Sequence, residues 1–148
     1  MKAINTARIS FQSRSSNEVF ARAAVSGFIT GLDPTLEELT DVKTAVSEAV
    51  TNCIVHAYPG TLGMVNMTLT VYPDRRLVVR ITDKGCGIPD VKKAMEPLYT
   101  TGNKDERSGL GFAVMQSFMD KVKVVSTAGG GTKVTLTKLL RAREEERT

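Results

Sequence analysis

The sequence predicts an α+β two-layer sandwich, in which a mixed, mostly antiparallel sheet carries helices on one face. Apolar residues recur at helical spacing in three segments, while five shorter segments alternate apolar and polar residues as strands do. These segments follow one another as strand, helix, helix, hairpin, helix, hairpin, an order typical of helices packed on an antiparallel sheet. A chain of 148 residues accommodates a single domain, which we expect to span residues 1–148.

The first part of the chain should contain one strand followed by two amphipathic helices. Residues 8–12 alternate, have no partner nearby in the sequence, and are expected to join the edge of a distant sheet. Residues 16–31 have the apolar spacing of a helix. Asp33 and Pro34 are expected to begin the second helix as cap and first-turn proline, and its apolar pattern continues to about Ala57.

The second part should supply two hairpins and a third helix. Alternating runs predict the strands, and the helix is expected between the hairpins, after a loop-rich stretch. The charged C-terminal residues are expected to fray. The ranges are residues 64–72 and 77–82 for the first hairpin, 83–108 for the loop, 109–120 for the helix, 122–126 and 133–139 for the second hairpin, and 141–148 for the tail.

Composition excludes several classes of function. No apolar run approaches the roughly 20 residues that cross a membrane, and the N-terminus has no signal-peptide core, so we expect a cytoplasmic location. The sequence has two cysteines, Cys53 and Cys86, and one histidine, His56. These are too few for a zinc-type ligand set, and a disulfide is not expected. We expect His56 to be structural. The net charge is +4, but cations are scattered among acids and aromatics are 5%, so no direct nucleic-acid binding is expected.

Glu48, Asn52 and His56 lie four residues apart on the second predicted helix and form a polar stripe beside its apolar face. Glu48 and Asn52 are therefore expected to reach into the same cleft. A carboxylate can take a proton from an attacking hydroxyl, and an amide oxygen is a hard ligand that suits Mg²⁺. The pair suits phosphoryl transfer, although such a stripe alone is also typical of the solvent face of a helix.

Asp83, Gly85 and Gly87 directly follow the predicted strand at residues 77–82. The Asp83 carboxylate can accept a hydrogen bond from an exocyclic amine, and the glycines let the backbone approach a flat base. A dinucleotide fingerprint fails here, because the position three beyond Gly87 is Asp90. A plain turn would have a similar composition.

Gly109 and Gly111 are expected to open the third helix, where exposed backbone amides are a ready site for phosphates. No P-loop sequence is present. Residues 97–107 are polar and contain a glycine, which is typical of a mobile lid, and Lys104 and Arg107 could then meet a terminal phosphate. An ordinary surface loop with solvated charges is the alternative.

A fourth motif, three glycines at residues 129–131 followed by Thr132, separates the last two strands and would also suit a hairpin turn. In their order, the four motifs resemble the nucleotide-binding boxes of the gyrase, chaperone, histidine-kinase and mismatch-repair (GHKL) superfamily. Within it the chain resembles the sporulation anti-sigma factors, which are serine kinases, over nearly its full length. The passages that carry this likeness are residues 17–22, 32–35, 46–52, 97–101 and 106–112.

The resemblance implies the GHKL fold and a protein serine/threonine kinase that binds ATP or ADP with Mg²⁺. It implies Glu48 as the catalytic base, Arg107 as the group that meets the γ-phosphate, and Asn52 as the magnesium ligand. Asp83 would read the adenine amine, and Arg22 on the first helix would contact the sigma factor. The other residues implied in nucleotide binding are Gly85, Gly87, Thr100, Thr101, Ser108, Gly109, Gly111 and Thr132.

The resemblance also implies three partners: a sporulation sigma factor that the chain inhibits, an anti-anti-sigma protein whose serine it phosphorylates, and a second copy in a homodimer. One alternative is a general-stress anti-sigma kinase, and another is a freestanding histidine-kinase catalytic domain, although no dimerisation helix pair is evident. A third is a non-catalytic binding module whose nucleotide only sets the conformation that captures a partner. A bare structural domain is least favoured, because independent turn preferences explain an ordered set of motifs poorly.

Overall fold

The computed structural model describes residues 1–96 and 106–141, with the backbone alone for residues 106–110. The described elements confirm the predicted order and add one short helix, α3, inside the stretch predicted as a loop. In chain order they are β1 (Asn5–Gln12), α1 (Asn17–Thr30), α2 (Leu36–Asn52), a π-helical turn (Cys53–Ala57), β2 (Met64–Val71), β3 (Arg76–Asp83), α3 (Val91–Ala94), α4 (Glu106–Phe118), β4 (Lys121–Thr127) and β5 (Gly131–Leu139).

The strands form one five-stranded sheet in the order β1-β2-β3-β5-β4. Each pair of neighbouring strands is antiparallel, which confirms the predicted α+β class. β1 pairs with β2 at the edge of the sheet, as its isolated alternating pattern predicts. Because β5 lies between β3 and β4, Asp83 at the end of β3 is opposite Thr132 at the start of β5. Two motifs that are far apart in the sequence therefore meet at this end of the sheet.

The core lies between one face of the sheet and the three longer helices. Leu69, Val79 and Leu136 are neighbours across β2, β3 and β5, and each is at most 1% exposed. Val46 of α2 and Met115 of α4 are completely buried in the same cluster. Burying side chains of this kind contributes about 1.5–3 kcal/mol each. This packing fixes α2 and α4 against the sheet and so positions the polar residues at their margins.

α2 begins at Leu36, and the prediction that Asp33 and Pro34 begin it is wrong. Thr35 is the N-cap: its hydroxyl accepts from the Glu38 N–H at 3.0 Å, while the Glu38 carboxylate accepts from the Thr35 N–H at 2.9 Å. Asp33 has a φ of 54°, in the left-handed region outside the helix. The capping box satisfies two backbone donors reciprocally, which the Asp-Pro pair cannot do.

Replacing Thr35 by alanine should lower the free energy of unfolding by about 1 kcal/mol, because the Glu38 N–H loses its acceptor. Urea denaturation followed by circular dichroism measures this change. Thr35→Ser keeps the hydroxyl and serves as the matched control, with stability close to that of the parent. Equal midpoints for the alanine and serine variants would contradict the capping assignment.

Two further helix ends differ from the prediction. α2 ends at Asn52, and the π-helical turn takes the place of the α-helical pattern expected to reach Ala57. Such turns inside or beside helices occur frequently at functional sites. α4 begins at Glu106 and not at Gly109, so Gly109 lies within the first turn. None of the helices in the described part of the chain is long and apolar enough to span a membrane.

Candidate active site

A cavity of about 350 Å³ opens where the end of β3 and the start of β5 meet the C-terminal part of α2. Small-molecule sites have volumes from roughly this size upward, with apolar walls and a few polar groups. The wall combines residues from α2, the π-helical turn, the loop after β3, α3, α4 and β5. They are Asn52, Cys53, His56, Ala57, Asp83, Cys86, Gly87, Ile88, Pro89, Asp90, Ala94, Phe112, Thr132 and Val134.

Asp83 places a carboxylate in this wall and is only 7% exposed. One of its oxygens accepts from the Gly85 N–H at 2.9 Å, and the other accepts from the Cys53 thiol at 3.3 Å. A carboxylate offers about four acceptor positions, so Asp83 retains capacity toward the cavity. Gly85 thus orients Asp83 from behind, whereas Gly87 lies in the wall itself. The arrangement suits recognition of an amine inside the cavity.

Both cysteines line the cavity, but their surroundings differ. Burial raises the pKa of the Cys53 thiol well above its usual value, and the charge and hydrogen bond of Asp83 raise it further. Cys53 therefore stays protonated at neutral pH, as its donation to Asp83 requires. Cys86 is exposed, and its thiol donates to the His56 carbonyl at 3.2 Å.

One thiol of the native protein should react rapidly with an aromatic disulfide at pH 8, while the other should react only after unfolding. Cys86 is exposed, whereas Cys53 is buried with a raised pKa and has little thiolate to attack with. A nucleotide that fills the cavity should slow the rapid phase about tenfold when its concentration is about ten times its dissociation constant. Absorbance of the released thiolate measures both phases.

The Cys86→Ser variant is the control for this assignment, and it should lose the rapid phase altogether. Two rapid phases in the native parent would contradict the burial of Cys53. A rapid phase that saturating nucleotide does not slow would contradict the position of Cys86 in the binding cavity.

Asn52 and His56 each present a buried nitrogen, Nδ2 and Nε2 respectively, that has no hydrogen-bond partner among the described residues. Buried polar atoms in folded proteins nearly always have partners, and Arg76 Nε, outside the cavity wall, is a third such atom among the described residues. Asn52 and His56 line the cavity. The sequence interpretation treated His56 as structural because it has no partner set. That interpretation stays a prediction, and the position of His56 in the wall also makes it a candidate contact for a ligand.

Glu48 lies one helical turn before Asn52, and the two side chains meet beneath Gly111 of α4. A Cβ atom built on Gly111 would lie 3.3 Å from the Glu48 carboxylate and 3.3 Å from the Asn52 amide nitrogen. Glycine thus lets α4 approach the polar stripe closely. Glu48 and Asn52 were expected to reach into the same cleft; their side chains are neighbours, but among the described residues Asn52 lines the cavity and Glu48 does not. Gly111 lies in the second turn of α4, so the prediction that it opens the helix is wrong.

Gly87 and Thr132 close the cavity on the side of β4 and β5. Gly87 has a φ of 78° and lies directly against the Thr127 carbonyl, so a larger residue would be strained and would clash. The Thr132 and Ser126 hydroxyls share a hydrogen bond of 2.7 Å, and Ser126 also accepts from the Ile88 N–H at 2.7 Å. The sequence interpretation missed Ser126, whose only signal is its pairing with Thr132 across β4 and β5.

Part of the predicted site lies outside the described residues. The predicted nucleotide contacts in residues 97–105 are Thr100 and Thr101, together with Lys104 of the predicted lid. Three more predicted residues, whose backbone alone is described, lie in the first turn of α4: Arg107, Ser108 and Gly109. The first four N–H groups of a helix have no carbonyl partner within it, and those of Arg107 and Ser108 are among them.

Arg22 of α1, the predicted partner contact, does not line the cavity. Its guanidinium pairs with Glu18 at 3.2 Å, and Glu18 also accepts from the Ser47 hydroxyl at 2.7 Å. Arg22 lies with Glu48 in a separate groove between α1 and α2. The predicted residues therefore occupy two adjacent places, with Glu48 at the boundary between them.

The chain is similar to proteins of one domain family over most of its length. A model of the histidine kinase-like ATPase domain matches residues 11–138. An anti-sigma F factor of Caldanaerobacter subterraneus subsp. tengcongensis is 49% identical over 140 residues, which are 95% of this chain and 97% of the relative. The anti-sigma F factor of Clostridium acetobutylicum is 52% identical over 134 residues, 90% of this chain and 93% of the relative.

Two solved structures share the fold over a part of longer chains. The RsbU and RsbW domains of a Mycobacterium tuberculosis protein match with a TM-score of 0.69 and 18% identity, over 93% of this chain and 33% of that one. The histidine kinase domain of a blue-light activated histidine kinase of Erythrobacter litoralis matches with a TM-score of 0.54 and 27% identity, over 70% of this chain and 45% of that one. The chain thus spans about a third and about half of these structures.

Proposed function

The chain belongs to the anti-sigma F factors, within the histidine kinase-like ATPase domain family, and from this membership we propose a two-part activity. It binds and inhibits a sporulation sigma factor, and it uses Mg-ATP to phosphorylate a serine of an anti-anti-sigma protein. The observation that carries the kinase is the Glu48 carboxylate, which adjoins Asn52 at the margin of a nucleotide-sized cavity. Nucleotide binding alone requires no carboxylate there.

The residues of the cavity fit an adenine nucleotide. Asp83 has acceptor capacity for the adenine amine, and Asn52 and His56, which line the same cavity, each have a nitrogen without a hydrogen-bond partner among the described residues. Among the described residues, no group of three or more histidine, cysteine, aspartate or glutamate side chains could hold a metal ion. Mg²⁺ would therefore be held by the Asn52 oxygen together with phosphate oxygens and water, the coordination that Mg²⁺ prefers.

Glu48 acts on the acceptor hydroxyl. Its carboxylate orients the serine and takes the hydroxyl proton, and the phosphates end near Asn52, one helical turn away, whose side chain is close to that of Glu48. Mg-ATP, when bound, supplies the γ-phosphoryl group that the serine oxygen accepts as ADP departs. Arg107 offsets the charge on the γ-phosphate, and Thr132 lies on the adenine side.

The proposed roles of the remaining site residues are inferred from the membership in the family. Gly109 and Ser108 contribute to the phosphate site at the first turn of α4, together with Thr100 and Thr101 of the preceding segment. Gly85 and Gly87 shape the base pocket. Arg22 contacts the sigma factor, and the chain acts as a homodimer in the cytoplasm.

The test is incubation of the purified chain with labelled ATP, Mg²⁺ and a purified anti-anti-sigma protein, followed by acid treatment and phosphoamino-acid analysis. Acid-stable label on serine is the expected result. Acid-labile label would favour a histidine kinase. Absence of label, with ATP bound and transcription by the sigma factor inhibited, would favour a binding module that nucleotide only switches.

A further inference from the structure

A groove of about 330 Å³ lies between α1 and α2, separate from the nucleotide cavity. We call it the polar groove, because every side chain that lines it is polar or charged. Its lining residues are Arg22, Thr40, Lys43, Thr44, Ser47 and Glu48. From its composition alone, it could be a solvated crevice between two helices, so its significance depends on where it leads.

The polar groove ends at the proposed catalytic carboxylate. Glu48 lines the groove, and the same carboxylate adjoins Asn52, which lines the nucleotide cavity. The groove and the cavity share no described lining residue, but Glu48 in the groove and Asn52 in the cavity wall are one helical turn apart on α2. A general base must be within hydrogen-bond reach of the hydroxyl that it deprotonates. A hydroxyl bound in the groove beside Glu48 would lie outside the described wall of the nucleotide cavity.

The hydroxyl groups of the groove are arranged to accept hydrogen bonds. The Thr44 hydroxyl donates to the Thr40 carbonyl at 2.8 Å, and the Ser47 hydroxyl donates to Glu18 at 2.7 Å. A hydroxyl has one proton and two lone pairs, so each oxygen keeps acceptor capacity after this donation. Backbone N–H groups of an extended peptide segment would match these acceptors.

One cation of the groove, Lys43, is available to an acidic segment. Arg22 is paired with Glu18, whereas Lys43 makes no ion pair with any residue that the structure describes. Lys43 and Glu48 are five positions apart on α2, which is about 7.5 Å along a helix axis. That rise equals about two residues of extended chain. An acidic side chain within about three residues of the serine could therefore reach Lys43 while the serine reaches Glu48.

We propose that the polar groove receives the acceptor segment of the protein substrate, and that Lys43 selects an acidic side chain close to the phosphorylated serine. This inference rests on the proposed kinase function and adds the site and the chemistry of substrate recognition to it. Lys43 is a specificity residue in this account, since it contacts the substrate away from the reacting atoms.

The first experiment compares Lys43→Glu with the parent in steady-state phosphorylation of a purified anti-anti-sigma protein whose labelled serine has been mapped by mass spectrometry. Reversing the charge should raise KM for the protein substrate at least about tenfold, with kcat and ATP affinity within about twofold of the parent. Lys121→Glu, at an exposed position on β4 outside the groove, is the matched control and should change neither constant. When the acidic residue next to the serine of the substrate is replaced by lysine, the KM of the Lys43→Glu enzyme should return toward that of the parent pair.

The second experiment fills the groove without changing its charge. Thr44→Phe should lower kcat/KM for the protein substrate while ATP affinity and the unfolding midpoint stay close to those of the parent. An unchanged KM in Lys43→Glu, or an unchanged kcat/KM in Thr44→Phe, would overturn the proposal that the groove binds the substrate. The kinase function would still stand in that case, because the parent protein phosphorylates the serine. Failure of the parent itself to phosphorylate any serine would overturn both.

Discussion

Replacing Glu48 by glutamine should lower the rate of phosphoryl transfer about a thousandfold, the range expected when a general base is removed. Glutamine is close to glutamate in size, so its amide can occupy the space beside Gly111 without displacing α4. It cannot take a proton at neutral pH. Nucleotide affinity should stay within about twofold of the parent, because Glu48 is not among the described residues of the cavity wall. Single-turnover transfer and calorimetric titration with ATP measure the two effects separately.

Glu37→Gln is the matched control for this experiment. It makes the same chemical change in the first turn of α2, at an exposed position away from the cavity and the groove. Its transfer rate should equal that of the parent. Unchanged turnover in Glu48→Gln would remove Glu48 from its role as base, and a loss of ATP affinity equal to the loss of rate would reassign it to nucleotide binding.

Replacing Asp83 by asparagine should weaken nucleotide binding about a hundredfold, since hydrogen bonds to a charged partner are worth roughly 1.5–3 kcal/mol. The carboxylate already accepts from the Gly85 N–H and the Cys53 thiol with its two oxygens. An amide has a single oxygen, so one of these donors loses its acceptor. The amide nitrogen is a hydrogen-bond donor, so it could not accept from the adenine amine, which is also a donor. Calorimetric titration with ADP and with ATP measures the change.

Asp90→Asn is the control for Asp83→Asn, because it removes one negative charge from an exposed position in the wall of the same cavity. Asparagine can still accept from the Lys93 N–H as the cap of α3, as Asp90 does at 3.0 Å. Affinity in this variant should stay within about threefold of the parent. Equal losses in the two variants would indicate a general charge effect and contradict specific recognition by Asp83.

The fold was largely predictable because its elements have strong local signals. The alternating runs gave both hairpins, and helical spacing gave α1 and most of α2. Local signals failed where two of them competed, as at the start of α2, where Thr35 and Glu38 outweigh Asp33 and Pro34. The insertion of β5 between β3 and β4 depends on contacts distant in the sequence and has no local signal.

The candidate site was predictable as a set of motifs but not as a geometry. Asp83 and Thr132 were identified separately, and only the strand register places them opposite each other. The hydrogen bond from Cys53 to Asp83 and the support of Thr132 by Ser126 join residues that no sequence pattern relates. The pattern of the polar stripe also does not indicate that Asn52 lines the cavity while Glu48 lines the groove, or that α4 approaches both closely at Gly111.

We propose that the cavity binds ATP with its base at Asp83 and its phosphates toward Asn52 and Glu48. A crystal structure of the chain with a non-hydrolysable ATP analogue and Mg²⁺ tests this claim most directly. We expect the adenine amine within hydrogen-bond distance of the Asp83 carboxylate, Mg²⁺ on the Asn52 oxygen, and the terminal phosphate on the Glu48 side of the cavity. A nucleotide bound elsewhere, or bound in the cavity with its phosphates directed away from Glu48, would contradict the account.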